Sequence, residues 1–425
     1  MAQVVHGFCR KRAIQGEASP FTGFMPRCVP QFNFDDHVTG LRGLKRILCD
    51  LPNLRPDQVL VELQQKCAAS DVLDFEAAVR AMPDELAAPA LCMTAWLLHG
   101  VHARLGGVDA CAHGQVVELL APFHRVVAAR AYGVPQADAR LPGSANVCFY
   151  YNWVLRGSAP GASYDPACVR PQDLEPAFEV LGSEGRSLWN FIAMHIVMEM
   201  KATPLFEHML HASRLAQEGR ARDGQVRDRI LEATKCLRRI VQVLKDTLKA
   251  EHISPDHWPQ ILNALRVDRP CPGGITGVQN CWVFALDFLI QAPGPSHDHI
   301  KTLHRAAVAA YLPHQRKLLK QVRAAGKTLT AFLGDLASRS TQEAWIDFIK
   351  EVAIWHATHR CRVSRFVKAV ARSSGEYHTS GQWRTTATHI TSMLDSRIGE
   401  YCNAMQRCRQ GFFGAQAAAA VVGGA

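Results

Sequence analysis

From Ala344 to Val370 the chain reads AWIDFIKEVAIWHATHRCRVSRFVKAV. Trp345, Ile349, Val352, His356, His359, Val363, Phe366 and Val370 follow one another at alternating steps of four and three, which places all of them on one face of an α-helix. The stripe is apolar except for its two histidines. A buried face interrupted only by imidazoles points to a coordinated metal or haem beneath it. The plainer alternative is a pair of core histidines with satisfied ring nitrogens.

The same periodicity predicts helices over 38–50, 56–68, 71–82, 84–106 and 114–132. It continues over Leu174–Leu181, Ser187–Leu210, Asp223–Ala250, His257–Leu265, Val278–Gln291, His299–Ala310, Pro313–Ala325, Thr328–Ser338 and Thr385–Gln406. Pro204 is expected to kink or break its helix. Arg156–Gln172, rich in Gly, Pro and Ser, and the polar stretch Ser373–Arg384 read as loops. Strand alternation is nearly absent. The expectation is an all-α protein with a smaller N-terminal helical domain over 1–135, a large helical domain over 136–410 and a disordered Ala/Gly tail over 411–425.

Composition narrows the function classes. At 425 residues, 48% apolar and 20% charged, the chain reads as an ordinary globular protein. No run of eighteen apolar residues calls for a membrane span. The first residues lack the long apolar segment of a secretory signal, so a cytoplasmic monomer is expected. The net charge of +10 comes from scattered Lys and Arg rather than a stripe with interleaved aromatics, which argues against nucleic acid. The fourteen cysteines include no Cys-x-x-Cys pair and read as reduced thiols. His356 and His359 are spaced to share a metal ion, but the one nearby third ligand, Cys361, lies off their face.

The second chemical candidate is His195, in SLWNFIAMHIVMEM, a segment apolar on most of its surface. Two buried helices, each carrying an imidazole in an apolar setting, supply what a haem pocket needs: one axial ligand and one polar group over the open face.

Four stretches in the right order resemble the indoleamine 2,3-dioxygenase family, within the tryptophan-dioxygenase superfamily of haem enzymes. They are Asn146–Trp153 (NVCFYYNW), Pro272–Gly277 (PGGITG) with the helix from Trp282 to Leu289, Ala307–Leu319 (AVAAYLPHQRKLL) and His359–Val367 (HRCRVSRFV). The similarity covers roughly residues 80 to 405. It implies a haem b-binding large domain with His359 as the proximal iron ligand. His356 falls where the family has an arginine near a haem propionate, and Asp287 where it has that arginine's partner, so a His356–Asp287 pair is expected. Gly274, Thr276 and Gly277 fall in the glycine-rich turn beside the cofactor. On the distal side the resemblance gives Phe191 and Trp258 as pocket walls and His195 as the acceptor for an indole N–H, as in tryptophan 2,3-dioxygenases.

The chain departs from the family where substrate polar groups are gripped. Asn263 replaces the carboxylate-binding arginine, with Arg266 close by, and the Gly-Thr-Gly-Gly loop survives only as His378, Thr379, Ser380 and Gly381. The implied reaction is insertion of O₂ across the indole C2=C3 bond of tryptophan or an indole derivative. Two other readings stand beside it. One is a haem monooxygenase or rearranging enzyme acting on a modified tryptophan, and the other a helical haem- or ligand-binding protein without catalysis.

Overall fold

A computed structural model describes residues 23–26, 28–34, 37–68, 72–105, 110–135, 145–179, 185–259, 261, 280–291, 308–309, 311–374, 377–379, 383–385 and 387–414. The fold is all-α. The first group of helices is α1 (Thr39–Asp50), α2 (Pro56–Ala68), α3 (Val72–Ala81), α4 (Asp84–Leu105), α5 (Ala110–Tyr132) and the short α6 (Ala145–Cys148). α4 and α5 lie along each other, with α1 on α4 and both α2 and α3 on α5. α4 reads as apolar on all sides and is buried accordingly, from Leu86 through Val101. Trp96 donates its indole N–H to the Cys148 carbonyl at 2.8 Å, tying α4 to α6.

The second group is α7 (Gly185–Gln217), α8 (Asp223–Thr247), α9 (Cys281–Leu289), α10 (Pro313–Asp335), α11 (Arg339–Ser374) and α12 (Ala387–Arg409). α8 is the spine. Val226, Ile230, Ala233, Leu237, Ile240, Val241 and Leu244 make its buried stripe, and it packs on both α7 and α11. α12 runs along α11, while α10 packs on α7 and α9. α7 and α11 approach each other little directly, and both pack on α8.

Two expected breaks are absent. Pro204 sits inside an uninterrupted α7, because Ala202, Leu205, Phe206 and Met209 around it are all buried and their packing outweighs one lost backbone bond. The two helices expected over Pro313–Ala325 and Thr328–Ser338 are one, α10, running through Gly326. A Cβ at Gly326 would stand 2.4 Å from the Leu289 carbonyl oxygen and 2.6 Å from that of Phe288. The glycine therefore marks backbone-to-backbone approach at the end of α9 rather than a helix break.

Two further expectations give way to strands. Over 174–179, the described part of the helix expected at Leu174–Leu181, no helix forms: Leu174–Glu175 (β2) pairs antiparallel with Val154–Leu155 (β1), and Asn152 holds Phe178 through its N–H and C=O at 2.8 and 3.2 Å. That side chain supplies the backbone partners that a helix would have used. Within the polar stretch 373–384, Tyr377–Thr379 (β3) pairs with Trp383–Thr385 (β4), Tyr377 opposite Thr385.

The segment 23–34 packs on the second group of helices. Phe24 meets Phe206 edge-on at 5.6 Å, and its carbonyl accepts from Gln315 at 3.1 Å. No helix among the described residues is long and apolar enough to cross a membrane.

Candidate functional site

His195 is buried on α7, 5% exposed. Its Nδ1–H donates to the Phe191 carbonyl one turn earlier at 2.9 Å, which leaves Nε2 as the bare acceptor. Burial pushes its pKa down to about 4, the Phe191 bond opposing, so the ring is neutral across the physiological range. Phe191 lies against it at 4.3 Å and Phe149 at 5.8 Å.

His359 faces the same region from α11. Trp355, one turn earlier, stacks parallel to it at 5.4 Å. Burial pushes His359 down to about 4 as well, and the positive charge His195 would carry pushes in the same direction. The two rings are thus close enough for the charge of one to be felt by the other. His359 keeps partial accessibility despite this desolvation, the combination expected of a side chain that lines an internal space. Among the described residues, neither His195 Nε2 nor the ring nitrogens of His359 have a hydrogen-bond partner, and none of them is among the fully enclosed unpaired atoms of the core. Each therefore keeps a little accessible surface.

Trp258 closes one side. It follows a single 3₁₀ turn, Pro255–His257, and its ring contacts Phe191 of α7 at 5.1 Å and Phe366 of α11 at 5.1 Å. Sequence reasoning identified Phe191, His195, Trp258 and His359, and the fold brings these four together. It missed Phe149 and Trp355 as walls. Their signal was present as an aromatic residue four positions before an assigned histidine (Trp355) and one inside the aromatic run that follows α6 (Phe149), but apolar residues are too common for either to stand out.

The expected His356–Asp287 pair is replaced by a larger cluster. Arg397 of α12 grips both Asp287 oxygens at 2.6 and 2.8 Å, Tyr401 donates its hydroxyl to the same carboxylate, and Glu400 takes the other guanidinium nitrogen. His356 does not supply the cation. It stacks on the Tyr401 ring at 4.6 Å and meets Trp355 edge-on at 4.7 Å. Burial holds its pKa well below the ordinary value, helped by Arg397 and His359, so it is a neutral lining residue. Burial raises the Asp287 carboxyl against the pull of Arg397 and Tyr401. Arg397 went unseen because it lies 110 residues from Asp287. The one local hint was an Arg, a Glu and a Tyr three and four apart on the face of a helix that must pack.

A second buried polar group lies one turn beyond His195. Glu199 accepts from the Tyr150 hydroxyl and from the Trp282 amide at 3.3 Å, at the start of α9, while Tyr150 itself accepts from the Cys281 amide at 3.0 Å. Burial raises Glu199 to about 8, opposed by those hydrogen bonds.

The remaining candidates lie outside the described residues: Asn263, Arg266, Gly274, Thr276, Gly277, Ser380 and Gly381. Thr379 is described by its backbone alone, in β3 opposite Trp383. Cys361 is exposed, away from the two histidines. Among the described residues no group of three or more His, Cys, Asp or Glu is placed to hold a metal ion, whereas a porphyrin needs one protein ligand. The donor chemistry suits such a group: a neutral imidazole with an unpaired ring nitrogen on α7, another on α11, and aromatic rings beside both. No protein-family model and no curated protein sequence matches the chain.

Proposed function

We propose that this protein binds haem b through His359 and oxygenates an indole ring, inserting O₂ across C2=C3 to give an N-formylkynurenine-type product. The observation that carries the reading is the pair of desolvated, neutral imidazoles, His195 on α7 and His359 on α11, near enough for one to feel the other's charge and each with an unpaired ring nitrogen beside aromatic rings. Bound haem would supply the oxygen chemistry, and the chain's own residues supply ligation, orientation and exclusion of water.

His359 is neutral without further help, the form in which imidazole ligates iron. His195 has its Nδ1 proton committed to the Phe191 carbonyl, so its Nε2 lone pair is directed outward and suited to accept an indole N–H. Phe191 and Trp258 present ring faces and edges to a flat aromatic substrate.

Expression with haem supplementation tests the reading. The purified protein should show a Soret band and convert indole or tryptophan to a product heavier by two oxygen atoms. His359→Ala should abolish stable haem retention. His195→Ala should keep haem and lower turnover by roughly 10- to 100-fold, the worth of a buried hydrogen bond that orients substrate. A wild-type protein that takes up no haem, or an H359A protein that retains it unchanged, refutes the assignment.

A further inference from the structure

Trp258 is carried on a strap, residues 251–259, that follows α8 and is fastened to the first turns of α7. Ser254 caps its 3₁₀ turn, accepting from the Asp256 amide at 3.3 Å. Asn190 donates to the His252 carbonyl at 2.6 Å. Ser187 makes two contacts: its Oγ accepts from the Ser254 amide at 3.4 Å and lies 3.2 Å from His257 Nδ1. With one lone pair of Oγ engaged by that amide, the hydroxyl proton is free to point at the imidazole nitrogen. His257 immediately precedes Trp258, whose ring contacts both Phe191 of α7 and Phe366 of α11.

We propose that Ser187, acting through His257, is a positioning residue for Trp258, and that it thereby sets the width of the aromatic wall beside His195 and the ring size the pocket admits. The selection of ring size rests on the pocket being the substrate site proposed above. The placement of Trp258 does not.

The experiment has two arms. The chain holds 8 tryptophans, so Trp258 is read by difference, comparing each protein with the same protein carrying Trp258→Phe. In the haem-free protein, Ser187→Ala should shift the Trp258 emission to the red and raise its quenching by acrylamide by about 2-fold or more, the lower end of what one lost hydrogen bond is worth. Ser187→Thr, which keeps the hydroxyl, should restore the wild-type signal. His257→Ala cuts the same tie from the strap side and decides the matter if S187A does not fold. An unchanged Trp258 signal in both variants, or a change that persists in the W258F background, overturns the positioning role.

In the haem-loaded protein, S187A should keep its Soret intensity and weaken indole binding by roughly 2- to 10-fold, with bulkier 5-substituted indoles weakened less. Equal weakening of all ring sizes overturns the selection claim. A wild-type protein without a Soret band overturns the haem reading and the selection claim together, while the fluorescence arm still judges the placement of Trp258.

Discussion

Glu199 shows what one side chain contributes when it is buried beside a helix start. Burial holds its carboxyl at about 8 in the folded chain, against an ordinary value of 4.5. Between those two values the folded protein keeps a proton that the unfolded chain releases. The stability associated with this group is therefore complete below pH 4.5 and falls as pH rises toward 8, by about 1.4 kcal/mol per unit. Glu199→Gln keeps the shape and removes the titration. It should flatten that slope and leave the protein more stable than wild type at pH 8.5, by roughly 3–5 kcal/mol at most. Urea unfolding at pH 5.5 and 8.5 measures it, and parallel slopes for the two proteins would reject the account. Arg397 makes the opposite case, since both its carboxylate partners are buried with it. Arg397→Met withdraws the guanidinium that Asp287 and Glu400 share and should cost about 3–5 kcal/mol in unfolding free energy. A loss below ~1 kcal/mol, the range of an exposed pair, would show that the cluster is solvated.

Among the elements, the histidine stripe of α11 was legible because it is local: every member lies within reach of helical periodicity. The same holds for α7 and for the amphipathic stripe of α8. The errors fall where a neighbour distant in sequence decides. Pro204 carries a strong local signal to break, yet the packing of its buried neighbours Ala202, Leu205, Phe206 and Met209 keeps α7 continuous. Gly326 carries a weaker one, and its real meaning is the closeness of α10 to the last carbonyls of α9. Gly326→Ala should therefore destabilise although alanine is the better helix former. An outlay of about 1–3 kcal/mol is expected from overpacking, against a propensity gain of about 1 kcal/mol. A thermal melt that rises on this substitution would mean that α9 moves aside freely. The candidate site divides the same way: His195 and His359 announced themselves through their own helices, whereas the Asp287–Arg397–Tyr401 cluster joins two helices no local pattern connects.

Across the whole molecule, α7 and α11 both pack on α8, and Trp258 contacts an aromatic ring on each of them. That arrangement puts the two imidazoles on separate supports with a shared backing. The segment 23–34 has a different bearing. Its Phe24 carbonyl finds a partner in Gln315, 291 residues downstream, and its Phe24 ring packs on Phe206. On a ribosome moving at about 5–20 residues per second, the early segment waits on the order of 15–60 s before α10 is made. During that interval the Phe24 carbonyl lacks this side-chain partner, so the tie between the two ends of the fold closes only after most of the chain has been synthesised.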